Sequence, residues 1–220
     1  MKRIGMLTIG QTPRTDIIPS LRDIMGSDYD FIEAGALNGM TNRQVDSFDI
    51  RSDDYILATR LNDGSEVKVA KRVIIPLLQK QINVLENSGI DIIVVMCTGR
   101  FPAFKAKHLV VTPSEILHGV LDASIKGGKL GIVYPAVEQI DHMEHEFGRT
   151  GLELYGDFYS PYDKKGLDAL CDRLKKEVLD LIFLNCFGYD RNLKNIVYKT
   201  TRVPVIQSNA VIAKVLTELI

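Results

Sequence analysis

Two cysteines in this chain stand in the same short grammar. Asp91-Ile-Ile-Val-Val-Met-Cys97-Thr98-Gly99 and Asp180-Leu-Ile-Phe-Leu-Asn-Cys186-Phe187-Gly188 each run from an aspartate through an apolar stretch to a cysteine, one further residue and a glycine. A thiol whose pKa is lowered can take a proton from carbon without any cofactor. With one thiol on each face of a substrate, one removes the proton and the other returns it, which inverts a stereocentre. A lone strand-end cysteine is more often a small buried hydrophobe; it is the matched pair that points to chemistry. A catalytic pair should include at least one low-pKa thiol that reacts quickly with iodoacetamide at neutral pH. Cys171, by contrast, falls in the apolar stripe of Leu167, Leu170, Leu174 and Val178 on a helical pattern, and reads as core.

The elements that must position the pair follow from periodicity. Continuous apolar runs behind long helical patterns read as strands buried on both faces of a parallel sheet, with each cysteine at a carboxyl end, the edge where ligands bind in open α/β sheets. The chain opens with a strand, Ile4 to Ile9, and then Gly10-Gln11-Thr12-Pro13-Arg14. Thr12 as cap and Pro13 in the first turn predict a helix from Pro13 to about Met25. Its amino terminus and Arg14 could hold a carboxylate or phosphate, or form a well-capped helix with a surface arginine. Tyr29 to Ala34 is a second strand, and Thr41 caps a short helix through Phe48. The alternating runs Tyr55 to Leu61 and Glu66 to Lys71, joined by Asn62-Asp63-Gly64-Ser65, predict a hairpin. A hairpin is foreign to a doubly wound pattern, so it reads as a flap over the crevice or as a homodimer contact.

A second round begins at Lys126-Gly127-Gly128. Lys129 to Tyr134 repeats the opening strand and Pro135 stands where a helix should start. The fold class is therefore α/β, with two similar open parallel-sheet (Rossmann-like) lobes facing a central cleft and a β-hairpin insertion in the first. The first lobe is expected at 1–113, rejoined by 205–220, and the second at 114–204.

Composition narrows the function classes. The net charge of −1, with both signs mixed along the chain, gives no nucleic-acid or membrane-surface footprint. No apolar run is long enough to span a bilayer, and three unclustered cysteines fit free thiols in a reducing, cytoplasmic setting. His142 and His145 share a helical face without a third ligand, no glycine-rich nucleotide fingerprint occurs, and no lysine stands out for a Schiff base. The expectation is a small-molecule protein with no cofactor and no metal.

The stretches Ile4-Gly-Met-Leu-Thr-Ile-Gly-Gln-Thr-Pro-Arg14, Met96-Cys-Thr-Gly-Arg-Phe-Pro102, Val111-Thr-Pro-Ser-Glu-Ile-Leu117 and Asn185-Cys-Phe-Gly-Tyr189, with the hairpin turn at Asp63-Gly64-Ser65, together resemble the AroM family along essentially the whole chain. That family carries no established activity. More distantly the two-lobe pattern resembles the aspartate/glutamate racemase superfamily, which includes amino-acid and hydantoin racemases, maleate isomerase and arylmalonate decarboxylase. The resemblance implies two facing lobes, no metal or pyridoxal phosphate, and Cys97 and Cys186 as the first-lobe and second-lobe catalytic cysteines. In the racemases, asparagine and threonine commonly follow the first cysteine and threonine the second. Here Thr98-Gly99 and Phe187-Gly188 follow. Phe187 removes a polar contact and adds an aromatic face, which suits a larger or less polar substrate than aspartate. Arg14 and Arg100 become candidates for a bidentate carboxylate clamp, or are surface arginines. Gln11, Thr12 and Tyr134 are expected to complete the wall with Thr98, Gly99, Phe187 and Gly188. Two functions stay open: a cofactor-independent isomerase, racemase or carbon-acid lyase acting on a small carboxylate, and a non-catalytic binder that keeps the cleft.

Overall fold

The two apolar runs become the central strands of two parallel sheets, and the side-chain alternation along them explains why they are apolar throughout. In the computed structural model, which describes residues 1–220, the first half runs β1 (Lys2–Thr8), α1 (Ile18–Met25), β2 (Tyr29–Gly35), α2 (Asn42–Asp46), β3 (Ile56–Arg60), β4 (Glu66–Ala70), α3 (Lys71–Leu85), β5 (Ile92–Val95), β6 (Leu109–Val111) and α4 (Pro113–Ser124). The second half runs β7 (Gly128–Tyr134), a 3-10 turn (Val137–His142), α5 (Met143–Phe147), β8 (Leu152–Phe158), α6 (Leu167–Lys176), β9 (Leu181–Leu184), α7 (Arg191–Thr201), β10 (Val205–Gln207) and α8 (Ser208–Leu219). The sheet orders are β2-β1-β5-β6 and β10-β9-β7-β8. Both read second, first, third, fourth strand of the lobe from one edge to the other, so the duplication seen in sequence is a duplication of topology.

On β5, Ile92 and Val94 join one core cluster while Ile93 and Val95 join another. On β9, Leu181 and Phe183 face the first of these and Ile182 and Leu184 a third. A period of two across a doubly covered sheet demands an apolar residue at every position. The shared cluster takes residues from both sheets, from β1 (Ile4, Met6) and β7 (Leu130, Ile132), and is completed by α1, α4 and α8. Each such fully buried side chain contributes about 1.5–3 kcal/mol, so the lobes are fused through one core.

The aspartates that open the two runs have matching jobs. Asp91 accepts the Arg3 peptide N–H at 2.7 Å while its own N–H donates to the Arg3 carbonyl at 2.8 Å. Asp180 accepts from Lys129 N–H at 2.8 Å and donates to the Lys129 carbonyl at 2.9 Å. Each aspartate thereby pegs the entry of its cysteine strand against the first strand of its lobe.

Strands β3 and β4 form the antiparallel hairpin, Ile56 opposite Ala70 and Arg60 opposite Glu66. Its turn is held by the Asp63 carboxylate, which accepts the Ser65 peptide N–H at 2.9 Å, while Gly64 takes a φ of +91° that a side chain would resist. The segment 205–220 is shared between lobes: β10 pairs with β9 in the second sheet, whereas α8 packs on α1 and α4.

The first helix departs from expectation. It starts at Ile18, with Pro19 in its first turn, and Thr12 caps nothing. The Thr12–Pro13 peptide is cis, and residues 14–17 form a turn in which the Ile17 and Ile18 amides both donate to the Arg14 carbonyl.

Candidate active site

Strands β5 and β9 end two residues before Cys97 and Cys186, so each thiol is delivered to the carboxyl edge of its sheet by a fully buried strand. The glycine of each motif then turns the chain back. Gly188 N–H donates to Cys186 Sγ at 3.3 Å, and the Gly99 amide favours the Cys97 thiolate. Both thiols line one cavity between the lobes, Cys97 from the first and Cys186 from the second, while Cys171 lies in the outer core of the second lobe. All three are free. The cavity holds about 20 Å³, room for a single water, so the site is nearly closed, with Cys186 buried and Cys97 half-buried at its wall.

Burial pushes the Cys97 thiol up to about 11, with the Gly99 amide and the Lys71 and Arg14 charges pulling the other way. The Cys186 thiol is pushed up to about 12 by burial, which the Gly188 amide offsets and nearby Cys97 adds to. Neither thiol is lowered in this form, because desolvation outweighs the glycine amide beside each sulfur.

Arg14 is on the wall, but not as a surface group or a free clamp. Its side chain is 2% exposed. Nε and Nη2 fork onto the Asp16 carboxylate at 2.9 and 2.7 Å, Nη1 donates to Thr8 Oγ1 at 2.6 Å, and Nη2 approaches Tyr162 Oη at 3.4 Å. Burial opposes the charged forms of both partners; the mutual pairing outweighs it, raising the Arg14 pKa and lowering that of Asp16. The peptide N–H of Arg14, expected to meet an anion, donates instead to the Glu33 carboxylate at 2.6 Å. With the helix starting four residues beyond Arg14 and that amide taken, the anticipated helix-terminus anion site is not built.

Other expected residues divide. Thr98, Gly99, Phe187 and Gly188 line the cavity, and Thr98 Oγ1 donates to the Asn185 carbonyl at 3.2 Å, tying one cysteine loop to the other. Gln11 lies off the wall: its amide donates to the Leu37 and Met40 carbonyls at 3.0 and 2.7 Å and its oxygen accepts from Asn62 N–H at 2.8 Å, a structural staple. Thr12 is paired with Asn38 by both backbone and side chain. Tyr134 is wholly buried in the shared core with no partner for its hydroxyl, and Pro135 takes its place on the wall. Arg100 turns away to a separate surface cleft, its Nη2 3.4 Å from His118 Nδ1 and its Nε 3.9 Å from Glu115. It is solvent-exposed because the chain leaves the sheet edge right after Gly99.

The wall also holds residues that the sequence reading passed over: Tyr162, Tyr55, Gln139 and, from the hairpin, Leu57, Ala58 and Thr59. Tyr162 sits in an irregular loop with no periodic signal. Leu57 and Thr59 were legible in principle, since alternation on β3 puts them on one face and the strand was expected to be able to reach over the crevice.

No three His, Cys, Asp or Glu side chains come together as a metal site, and no helix is long and apolar enough to cross a membrane. The family profile described as AroM protein matches residues 4–220, so the chain belongs to the AroM family. No curated protein sequence matches it. Among solved structures, the chain is similar to allantoin racemase from Klebsiella pneumoniae (TM-score 0.66, 16% identity, covering 100% of this chain and 87% of that one). It is also similar to the aspartate racemase of Picrophilus torridus (0.60, 14%, 100% and 94%) and to an arylmalonate decarboxylase (0.61, 17%, 98% and 92%). At these identities the likeness establishes the racemase-like two-lobe fold.

Proposed function

We propose that this AroM-family protein is a cofactor-independent isomerase or racemase, or a related carbon-acid lyase, acting on a small carboxylate, with Cys97 and Cys186 as its acid–base pair. One observation carries the reading: two free thiols from equivalent positions of the duplicated lobes line the same interlobe cavity. One sulfur, as thiolate, accepts the proton from the substrate's α-carbon and leaves a carbanion delocalised into the adjacent carbonyl. The other, as thiol, donates its proton to the opposite face of that carbon. The pair ends with its protonation exchanged, so either direction is served by the same two groups. Because both thiols are held protonated in the nearly closed cavity, one must lose its proton as the site opens or as the substrate arrives. The residue after Cys186 on the cavity wall is the apolar Phe187, and Arg14 is neutralised by Asp16, which together favour a substrate less polar than aspartate.

The test is proton exchange. Amino acids, 5-substituted hydantoins, arylmalonates and shikimate-pathway acids are incubated with the protein in D2O and followed by NMR. At least one should exchange its α-proton or lose carbon dioxide, and Cys97→Ser and Cys186→Ser should each abolish two-base inversion, since a serine hydroxyl is far too weak an acid to supply the base. Turnover indifferent to both substitutions would refute the mechanism and leave a likeness of fold only. The second reading, a non-catalytic binder, draws on the same raised thiol pKa values; it predicts ligand-induced thermal stabilisation without exchange.

A further inference from the structure

The hairpin β3–β4 is held in two unequal ways. Toward its own lobe it is part of the core: Leu57, Leu61 and Val69 are buried in the first-lobe cluster, the Arg60 carbonyl accepts from Gln11 N–H at 3.2 Å, and Asn62 N–H donates to the Gln11 side chain. Toward the second lobe the contacts are few and mainly polar. Lys68 Nζ meets Glu138 Oε1 at 2.6 Å with both side chains about two-fifths exposed, and Ser160 donates to Glu66. The Gln139 amide donates to the Ile56 carbonyl at 2.8 Å, and the Tyr55 ring lies 4.8 Å from that of His142. This seam closes the cavity, because Tyr55, Leu57, Ala58 and Thr59 form its hairpin wall and Gln139 faces them. A cavity with room for one water admits nothing larger until some boundary parts, and the seam is a boundary held mainly by polar contacts.

On the cavity wall one polar group is uncommitted. Thr59 is fully buried on the cavity wall, and its hydroxyl, packed against Gly10, has no hydrogen-bond partner in the protein. A buried hydroxyl without a partner is costly to keep. Its neighbours on the wall are spoken for: Thr98 by Asn185, Arg14 by Asp16 and Thr8, Gln139 by Ile56.

We propose that the seam between this hairpin and the second lobe is the gate of the thiol site, and that Thr59 is a substrate-contacting residue which the gate brings into place. The hairpin travels with the first lobe; opening breaks the Lys68–Glu138, Glu66–Ser160 and Gln139–Ile56 contacts, and closing presents the Thr59 hydroxyl to an oxygen or nitrogen of the occupant. This rests on the acid–base reading of the same cavity, but the gate is testable without any turnover.

The probe is methyl methanethiosulfonate at pH 8, with labelling of each cysteine followed by mass spectrometry of its peptide. Lys68→Ala and Glu138→Ala remove a half-exposed ion pair, and each should speed labelling of Cys97 and Cys186 about twofold to fivefold. Cys171, in the outer second-lobe core away from the hairpin, is the internal control and should keep its rate. If all three cysteines speed up together, the variants loosen the whole fold and the gate is refuted. Unchanged Cys97 and Cys186 rates refute it as well. Thr59→Val, which removes the hydroxyl at constant volume, should raise the melting midpoint of the unliganded protein by about 2–4 °C and raise KM more than it lowers kcat for any carbon acid found by proton exchange. An unchanged or lowered midpoint means the hydroxyl already has a partner, and overturns the Thr59 assignment. Gated labelling without proton exchange on any carbon acid would keep the gate and end the acid–base reading.

Discussion

The nearly closed cavity should make the protein lose stability in alkali through its two site thiols. A cysteine in the unfolded chain titrates near 9, whereas burial holds Cys97 to about 11 and Cys186 to about 12 in the folded protein. Between those values the unfolded state has released protons that the folded state still binds, so stability is fully present below pH 9 and falls as pH rises toward 11–12. At pH 10 each thiol lies one unit above its unfolded pKa and is still protonated when folded, which costs about 1.4 kcal/mol per group. Relative to pH 8, the pair should therefore cost about 2–3 kcal/mol. The assay is urea unfolding at pH 8 and pH 10 for the native protein and for the Cys97→Ser/Cys186→Ser double variant. Cys171 and the buried tyrosines are also pushed up, but they are common to both proteins and cancel in the difference. Parallel losses, agreeing to within about 1 kcal/mol, would show that at least one site thiol is not held protonated by burial, and the account of a nearly closed, desolvated resting site would fall.

Two further outcomes test the scaffold. Arg14→Met removes the forked partner of the Asp16 carboxylate, which is a quarter exposed and keeps the Arg60 Nη1 contact at 3.4 Å, and should cost about 1.5–3 kcal/mol in urea unfolding; a loss under about 1 kcal/mol would mean that Arg60 and water already hold Asp16. Asp91→Ala and Asp180→Ala each remove the carboxylate that accepts the neighbouring strand's peptide N–H, and should cost similar amounts, about 1 kcal/mol apiece. Strongly unequal costs would show that the two lobes do not share this peg energetically.

The lobes, the strand-end position of both cysteines and the hairpin were legible because each depends on local pattern. An apolar residue at every position of β5 and β9 is what burial on two faces requires, and Asp-Gly between alternating runs is what a hairpin turn requires. Arg14 shows where such reasoning stops. Threonine, proline and arginine after a strand look like a capped helix start, yet the guanidinium finds Asp16 two residues on and Thr8 six residues back, and the helix waits for Ile18. Arg100 failed for another reason: adjacency to Gly99 in sequence says nothing about direction once the chain leaves the sheet edge. Tyr162 gave no signal because its loop is irregular, and its place on the wall depends on tertiary packing against Gly188, whose added Cβ would sit 3.4 Å from the tyrosine oxygen.

Duplication delivers two equivalent thiols, but the covers over them differ, and in the proposed reaction that difference would separate their roles. After its second strand the first lobe inserts the hairpin, which brings Leu57 to within 3.2 Å of where a Cβ on Gly99 would stand. At the matching place the second lobe inserts the loop carrying Pro161 and Tyr162, which press on Gly188 at 3.2 and 3.4 Å by the same measure. The two insertions meet where Ser160 donates to Glu66. Cys97 is thus under the hairpin of its own lobe, half-buried and with the Lys71 charge favouring its thiolate, whereas Cys186 is buried beneath a tyrosine. Burial raises both thiols, while the Lys71 charge acts against that rise at Cys97. Should the reaction need only one base, solvent deuterium would enter the product from a single face, and Cys97 is the thiol whose replacement by serine stops it.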